Sequence, residues 1–277
     1  MGTNKTASTT FQSLCKNNRK VLIDNGLVFP QYSTWPQHSF AAWMSQKRDI
    51  KNLCVFLRSI SDETKAKNCK STLISGEDFE NFLVDIHLAN EFETLAKCEG
   101  YTDIEWIVIR RDPTDYLLSI YAEMCSYNGV LNLELMASII LEYGFVSVSA
   151  GTYNFKFVFD IIKFSELFKK NVNKNLKVIS FEDFTCDYVG KIVLNNYLDE
   201  KSLDKLREEA KLIGVERKRP PPETVEFRYI ASFLGMKADK TFHENNKQLI
   251  DTLISNRINR NKVFLASIKN RFKERFW

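Results

Sequence analysis

The first residues of the chain carry a lysine and a run of hydroxyl side chains just before a helical pattern. Lys5 is followed by Ser8, Thr9 and Thr10, and apolar residues then recur at helical spacing over residues 11–22. The first N–H groups of a helix have no partner within it, and the helix dipole favours negative charge there. This arrangement predicts a site for a phosphate or sulfate group, to which Lys5 adds a full positive charge. The simpler interpretation is an ordinary helix capped by serine or threonine.

An arginine and a serine farther along the chain could hold a second oxyanion. Arg111 follows an apolar run over residues 104–109 that is typical of a buried strand, and Ser119 lies on the helix predicted after Pro113. Ligands of open parallel sheets bind beyond the carboxyl ends of the strands, and the guanidinium fork of arginine suits a phosphate. The alternative is a surface arginine and a helical serine that both face solvent.

The amino-acid composition narrows the classes of protein in which such anion sites could occur. The chain has 277 residues, with 39 basic and 35 acidic side chains and a net charge of +4. This modest charge does not favour a nucleic-acid-binding protein, and the chain is long enough to bury a full core. The six cysteines are scattered without a C-x-x-C pair, so they indicate reduced thiols and neither a zinc site nor a disulfide framework. Without a signal peptide or a long apolar run, we expect a cytoplasmic protein with no membrane span.

Strand and helix patterns alternate along the chain and predict an α/β fold with a parallel sheet flanked by helices. Strands are expected at residues 71–75, 104–109 and 177–181, and helices at 79–97, 115–126, 133–143, 155–170 and 245–276. We expect one domain over residues 1–277, with a nucleotide-binding core over 1–185. A helical C-terminal part follows over 186–277 and includes a basic, proline-rich segment at 216–222. Because a phosphate loop normally follows a buried strand, the sheet is expected to lack its first strand within this sequence.

Together the two stretches resemble the motifs of the sulfotransferases that use 3′-phosphoadenosine 5′-phosphosulfate (PAPS). Lys5-Thr6-Ala7-Ser8-Thr9-Thr10 resembles their 5′-phosphosulfate loop, usually Lys-Thr/Ser-Gly-Thr/Ser-Thr, although Ala7 stands where glycine is usual. Arg111 and Ser119, with Pro113 and Asp115 between them, resemble the 3′-phosphate motif Arg-x-Pro-x-Asp-x-x-x-Ser. Residues 179–184 are similar to a strand and turn that come later in these enzymes. The Gly-x-x-Gly-x-Trp-Lys segment of cytosolic members is absent from the sequence.

The resemblance implies a P-loop-like scaffold that transfers a sulfuryl group to a hydroxyl or amine of a glycan or small molecule. The residues expected to bind PAPS, or its product adenosine 3′,5′-bisphosphate, are Lys5, Thr6, Ala7, Ser8, Thr9 and Thr10 at the 5′ end, Arg111 and Ser119 at the 3′-phosphate, and Arg217, Lys218 and Arg219 as a basic lid. Lys5 is also expected to act in catalysis by stabilising the charge that develops on the leaving group. No metal is expected, because fixed positive charge already stabilises that group.

Two residues are candidates for the base that takes the acceptor's proton. Imidazole titrates near neutral pH, and His38 follows the irregular segment 25–37, where relatives with this type of opening motif also tend to carry a histidine. Glu77 follows the strand predicted at 71–75, and some glycan-modifying relatives use a glutamate. Two other functions stay open: a nucleotide-phosphate-binding protein without catalysis, and a small-molecule kinase. The kinase is disfavoured because no Gly-Lys-Ser/Thr follows the loop.

Overall fold

Helices account for most of the residues that the structure, a computed structural model, describes, namely 7–32, 37–127, 131–150, 153–213 and 219–277. The strands are β1 Leu27–Val28, β2 Ser71–Thr72, β3 Trp106–Arg110, β4 Phe145–Ala150, β5 Tyr153–Val158 and β6 Leu176–Ser180. The helices are α1 Ser8–Asn17, α2 Arg19–Asp24, α3 Ser39–Gln46, α4 Ile50–Ala66, α5 Ile86–Cys98, α6 Pro113–Ser126, α7 Leu133–Tyr143, α8 Ile161–Asn171, α9 Phe181–Thr185, α10 Lys191–Leu194, α11 Glu200–Ile213, α12 Pro222–Phe233, α13 Lys240–Asn245 and α14 Lys247–Phe276, with a 3-10 helix at Glu77–Leu83.

Contacts divide the chain into two units whose boundaries differ from the division expected at residue 185. The first unit comprises Met1–Arg111 and Ser147–Arg217, and the second comprises Asp112–Val146 and Lys218–Trp277. The chain therefore leaves the first unit directly after Arg111 and returns to it at Ser147. The predicted C-terminal part contributes to both units, because α10 and α11 belong to the first and α12–α14 to the second.

Two of the strand pairs in the first unit are parallel. β1 pairs with β2, and β3 pairs with β6 in a register that runs from Trp106 opposite Leu176 to Arg110 opposite Ser180. A third two-stranded sheet joins β4 and β5. The predicted α/β class with parallel strands is thus confirmed, as small parallel sheets within a largely helical protein. Across the described residues each of these sheets has two strands.

Packing on both faces explains why β3 is apolar from Trp106 to Ile109. The ring of Trp106 contacts the rings of Phe82 and Phe168, with centroid separations of 6.0 and 5.5 Å. Ile109, on the opposite face of the strand, belongs to a buried cluster that includes Phe11 of α1. Both faces of β3 are therefore covered, as expected of a strand without polar alternation.

The helix predicted over residues 79–97 is wrong in its first third. Residues Glu77–Leu83 form a 3-10 helix, and the α-helix begins only at Ile86. The buried carboxylate of Glu80 accepts a hydrogen bond from the main-chain N–H of Val158, at 2.6 Å. The two residues of this contact are 78 positions apart in sequence. Helical periodicity, which depends on near neighbours, therefore could not predict it.

The helix predicted over residues 155–170 is also wrong in its first part. Residues Tyr153–Val158 form β5, and the helix covers Ile161–Asn171. Aromatic residues alternate along β5, which is the period of a strand rather than of a helix. The side chain of Asp160 then caps the helix by accepting a hydrogen bond from the N–H of Lys163 at 3.2 Å.

The second unit consists largely of helices. α14 packs against α12 and α6, and it buries Ile250, Ile254, Ile268 and Phe272. The predicted helices at residues 115–126, 133–143 and 245–276 are confirmed, with small shifts at their ends. No helix within the described part of the chain combines the length and the apolar character needed to cross a membrane.

Candidate active site

The predicted anion site at the start of the chain coincides with a true helix N-terminus. α1 begins at Ser8, and the N–H of Phe11 donates to the carbonyl of Ala7 at 3.1 Å, closing the first turn. Ser8 and Thr10 are buried and Thr9 is half-buried. Helical geometry directs the first N–H groups along the axis, where an anion is favoured. The other two residues of the predicted loop, Lys5 and Thr6, lie outside the described residues.

Ala7 adopts the left-handed conformation, with φ 58° and ψ 21°. This is the position at which the sulfotransferase loop that the sequence resembles usually has glycine. The left-handed region costs an L-residue roughly 1–2 kcal/mol, because the Cβ atom crowds the following carbonyl oxygen. The loop therefore makes a turn that suits glycine while carrying an alanine.

Replacing Ala7 with glycine is expected to raise the free energy of unfolding by up to about 1 kcal/mol, measured by urea denaturation. Relief of the left-handed strain exceeds the extra entropy of glycine in the unfolded chain, which is roughly 0.4–1 kcal/mol. The matched control is Ala266→Gly on the exposed side of α14, where glycine should instead cost about 1 kcal/mol. Equal losses in the two variants would contradict the conformation assigned to Ala7.

One face of α1 binds the segment that follows β2. The Ser8 hydroxyl donates to Oε1 of Glu77, and the Gln12 side-chain N–H₂ donates to Oγ of Ser75 at 3.2 Å. Ser8 and Gln12 are one helical turn apart and both are buried. This arrangement places the carboxylate of Glu77 at the N-terminus of α1. Sequence reasoning missed Gln12 and Ser75, although the spacing of four between Ser8 and Gln12 is a signal that could have pointed to them.

Gly76 is required by the close approach of this segment to the start of α3. A Cβ atom at residue 76 would lie 2.8 Å from the main-chain nitrogen of Ser39, and the nearest atoms are all main chain. Main-chain atoms at that distance cannot move aside without shifting α3. The absence of a side chain at Gly76 therefore lets Glu77 and His38 occupy neighbouring positions.

His38 is buried, with 2% of its surface exposed, and both ring nitrogens face main-chain groups. Nδ1 accepts from the N–H of Ser75 at 3.0 Å, and Nε2 lies 3.1 Å from the carbonyl oxygen of Pro30, to which it donates. Burial lowers the pKa of His38, although contacts of the ring nitrogens with the carbonyl oxygens of Pro30 and Ser75 act in the opposite direction. The ring is therefore neutral at pH 7. It joins two loops through these main-chain contacts.

Arg111 lies at the shared carboxyl end of β3 and β6. The register places Arg110 opposite Ser180, so the residues that follow both strands emerge at the same edge. The guanidinium carbon of Arg111 is 5.1 Å from the ring centroid of Phe181, which begins α9. This cation–π contact holds the positive charge of Arg111 near the carboxyl ends of the two strands.

Packing between α1 and α9 connects the two predicted phosphate sites. Phe11 of α1 and Phe184 of α9 make an edge-to-face contact at 5.5 Å, and Phe184 is one turn beyond Phe181. A cavity of about 80 Å³ is lined by Ser8 at the start of α1 and by Ile109 near the end of β3, among others. The start of α1 and the end of β3 thus lie in one neighbourhood of the first unit.

The other residues predicted at the 3′-phosphate belong to the second unit or lie outside the described residues. Ser119 is buried on α6 and its hydroxyl donates to the carbonyl of Asp115 at 2.8 Å. Arg219 is exposed and belongs to the second unit, whereas Arg217 and Lys218 are outside the described residues. A joint contact of Arg111 and Ser119 with one phosphate, and the basic lid, stay predictions.

Metal ligation was not expected at this site. Among the residues that the structure describes, no group of three or more histidine, cysteine, aspartate or glutamate side chains could hold a metal ion. The polar groups gathered around Ser8, Ser75, His38 and Glu77 instead form hydrogen bonds with one another and with the main chain.

The family resemblance depends on two short motifs and on the turn at residues 179–184. To these the structure adds the positions of Ser8, Glu77 and Arg111 within the first unit. In comparisons with known proteins, no family model, no curated protein and no solved structure matches this chain.

Proposed function

We propose that the protein is a PAPS-dependent sulfotransferase on a P-loop-like α/β scaffold. The observation that carries this proposal is the hydrogen bond from Ser8, in the first turn of α1, to the carboxylate of Glu77. It joins a helix N-terminus suited to an anion with a group able to accept a proton. Arg111, in the same unit, supplies the positive charge expected for a second phosphate.

Donor binding in this proposal uses both ends of the nucleotide. The N–H groups at the start of α1, with Ser8, Thr9 and the preceding Lys5, hold the 5′-phosphosulfate. Arg111 holds the 3′-phosphate, the group that distinguishes PAPS from ATP. The left-handed Ala7 supports this assignment, because glycine, which is usual at this position of the loop that the sequence resembles, adopts that conformation readily.

The reaction is an in-line displacement at sulfur. The acceptor oxygen or nitrogen forms a new bond to sulfur, the bond from sulfur to the bridging phosphate oxygen breaks, and adenosine 3′,5′-bisphosphate leaves. Glu77 takes the proton from the acceptor, and the hydrogen bond from Ser8 orients its carboxylate. His38 acts as a positioning residue, because it binds the main chain of Ser75 two residues before Glu77. The acceptor class is a hydroxyl or amine of a glycan or small molecule.

Calorimetry and a transfer assay together test the proposal. Adenosine 3′,5′-bisphosphate is expected to bind with and without magnesium, and more tightly than ATP. Sulfate labelled in PAPS is then expected to appear on members of a panel of hydroxyl and amine acceptors. Bisphosphate binding without transfer to any acceptor would support the non-catalytic binding protein, and magnesium-dependent preference for ATP would support the kinase.

Arg111→Ala is expected to weaken binding of adenosine 3′,5′-bisphosphate by about ten- to a hundredfold, because a hydrogen bond between charged groups contributes roughly 1.5–3 kcal/mol. Binding of adenosine 5′-monophosphate, which lacks the 3′-phosphate, should be unchanged. Arg58→Ala is the matched control, since Arg58 is an exposed arginine of the same unit paired with Glu99. An Arg111→Ala protein with wild-type affinity for the bisphosphate would overturn this site assignment.

A further inference from the structure

The second unit contains a cavity of about 210 Å³ that the proposed reaction does not use. Its walls come from α6, α12, α14 and the proline-rich segment that precedes α12. Most of the lining is aliphatic and includes Leu118, Ala122, Val225, Ile258 and Leu265. For scale, an apolar cavity of roughly 150 Å³ engineered into a protein core holds benzene.

The polar groups on the cavity wall are satisfied by one another. Oε2 of the buried Glu226 accepts from Nε of Arg257 at 2.6 Å and from the hydroxyl of Tyr121 at 3.2 Å. Oε1 accepts from the side-chain N–H₂ of Asn261 at 2.8 Å. The negative charge of Glu226 is neutralised by the positive charge of Arg257, so the carboxylate does not attract a cationic ligand.

The charge that remains at the cavity is positive. Arg219 and Lys262 line it, and both are exposed. Within the described part of the chain, neither side chain forms an ion pair. Among the described residues that line the cavity, Glu226 is the one carboxylate, and it is already neutralised, so the two cations favour a ligand with an anionic end.

We infer that this cavity binds a small amphipathic anion, with its apolar body between α6 and α14 and its carboxylate between Arg219 and Lys262. The volume fits one ring or a short alkyl chain. This inference uses residues of the second unit alone. Arg219 is also one of the predicted lid residues, but the inference does not use the proposed sulfotransferase activity, and either can fail without the other.

The test compares three probes of one chain length, namely octanoate, octanol and octylammonium, by calorimetry on the full-length protein. Octanoate is expected to bind at least tenfold more tightly than octanol, and octylammonium more weakly than octanol. Equal affinity for octanoate and octanol would overturn the anionic preference. Tighter binding of octylammonium would reverse the sign of the inferred site.

Variants locate the binding. The double variant Arg219→Ala, Lys262→Ala should reduce octanoate affinity to that of octanol and leave octanol unchanged. Lys269→Ala, an exposed lysine of α14 that does not line the cavity, should change neither. Ala122→Phe, or Leu265→Trp if the first variant does not fold, should fill the cavity and abolish binding of every probe. Octanoate binding that survives a folded cavity-filling variant would place the ligand elsewhere and overturn the inference.

Discussion

Glu77→Gln is expected to lower kcat for sulfuryl transfer on the order of 10²- to 10⁴-fold, the usual contribution of a positioned base. The amide keeps the shape of the side chain and can still accept the hydrogen bond from Ser8. Affinity for adenosine 3′,5′-bisphosphate should not fall, because the substitution removes a negative charge from the N-terminus of α1. Steady-state kinetics with PAPS and calorimetry with the bisphosphate measure the two effects separately.

Two further variants make this prediction specific. Glu182→Gln alters an exposed glutamate of α9 in the same unit and should leave kcat unchanged. His38→Gln tests the alternative base. Because both ring nitrogens of His38 bind main-chain groups, we expect this variant to lower kcat only as far as it lowers the fraction of folded protein. A folded His38→Gln protein that loses turnover while Glu77→Gln retains it would reverse the assignment.

Arg257→Leu is expected to destabilise the protein by about 3–5 kcal/mol, because it leaves a buried carboxylate without its countercharge. Glu226 is 3% exposed and would keep only the neutral donors Tyr121 and Asn261. The loss of the guanidinium stacked 3.7 Å from the Tyr229 ring centroid adds to the cost. The free energy of unfolding from urea titration gives the measurement.

A second arginine on the same helix gives the control for that experiment. Arg260 forms a bidentate pair with Glu134, at 2.5 Å for the shorter contact, but its side chain is 66% exposed. Exposed ion pairs contribute about 0–1 kcal/mol, so Arg260→Leu should have a small effect. Adding Glu226→Leu to Arg257→Leu should recover part of the loss, since no unpaired charge then remains. If Arg257→Leu and Arg260→Leu lowered the free energy of unfolding by similar amounts, the loss could not be due to an unpaired buried charge on Glu226.

Local features of the fold could be predicted because they depend on neighbours along the chain. The start of α1 follows from the hydroxyl run before an apolar period, and α6 begins at Pro113, where the missing N–H costs nothing. The strand that leads to Arg111 is recognisable from a run that is apolar apart from Glu105, because both faces of the strand are covered. The parallel class then follows from strands that alternate with helices, without knowledge of which strands pair.

Tertiary contacts decided the features that the local pattern missed. The 3-10 helix at Glu77–Leu83 and the strand β5 are held by side-chain bonds to distant main chain, such as Glu80 to Val158. The choice between His38 and Glu77 likewise depends on burial and on partners that come from other loops, Pro30 and Ser75. From residue types alone histidine was the more natural base. The sequence by itself determined the starts of α1 and α6 and the strand that leads to Arg111, because those features depend on neighbouring residues. Only the tertiary structure determined that His38 is buried with both ring nitrogens bound to the main chain, and that the carboxylate of Glu77 lies at the start of α1. The reason is that burial and hydrogen-bond partners are set by residues far apart in sequence.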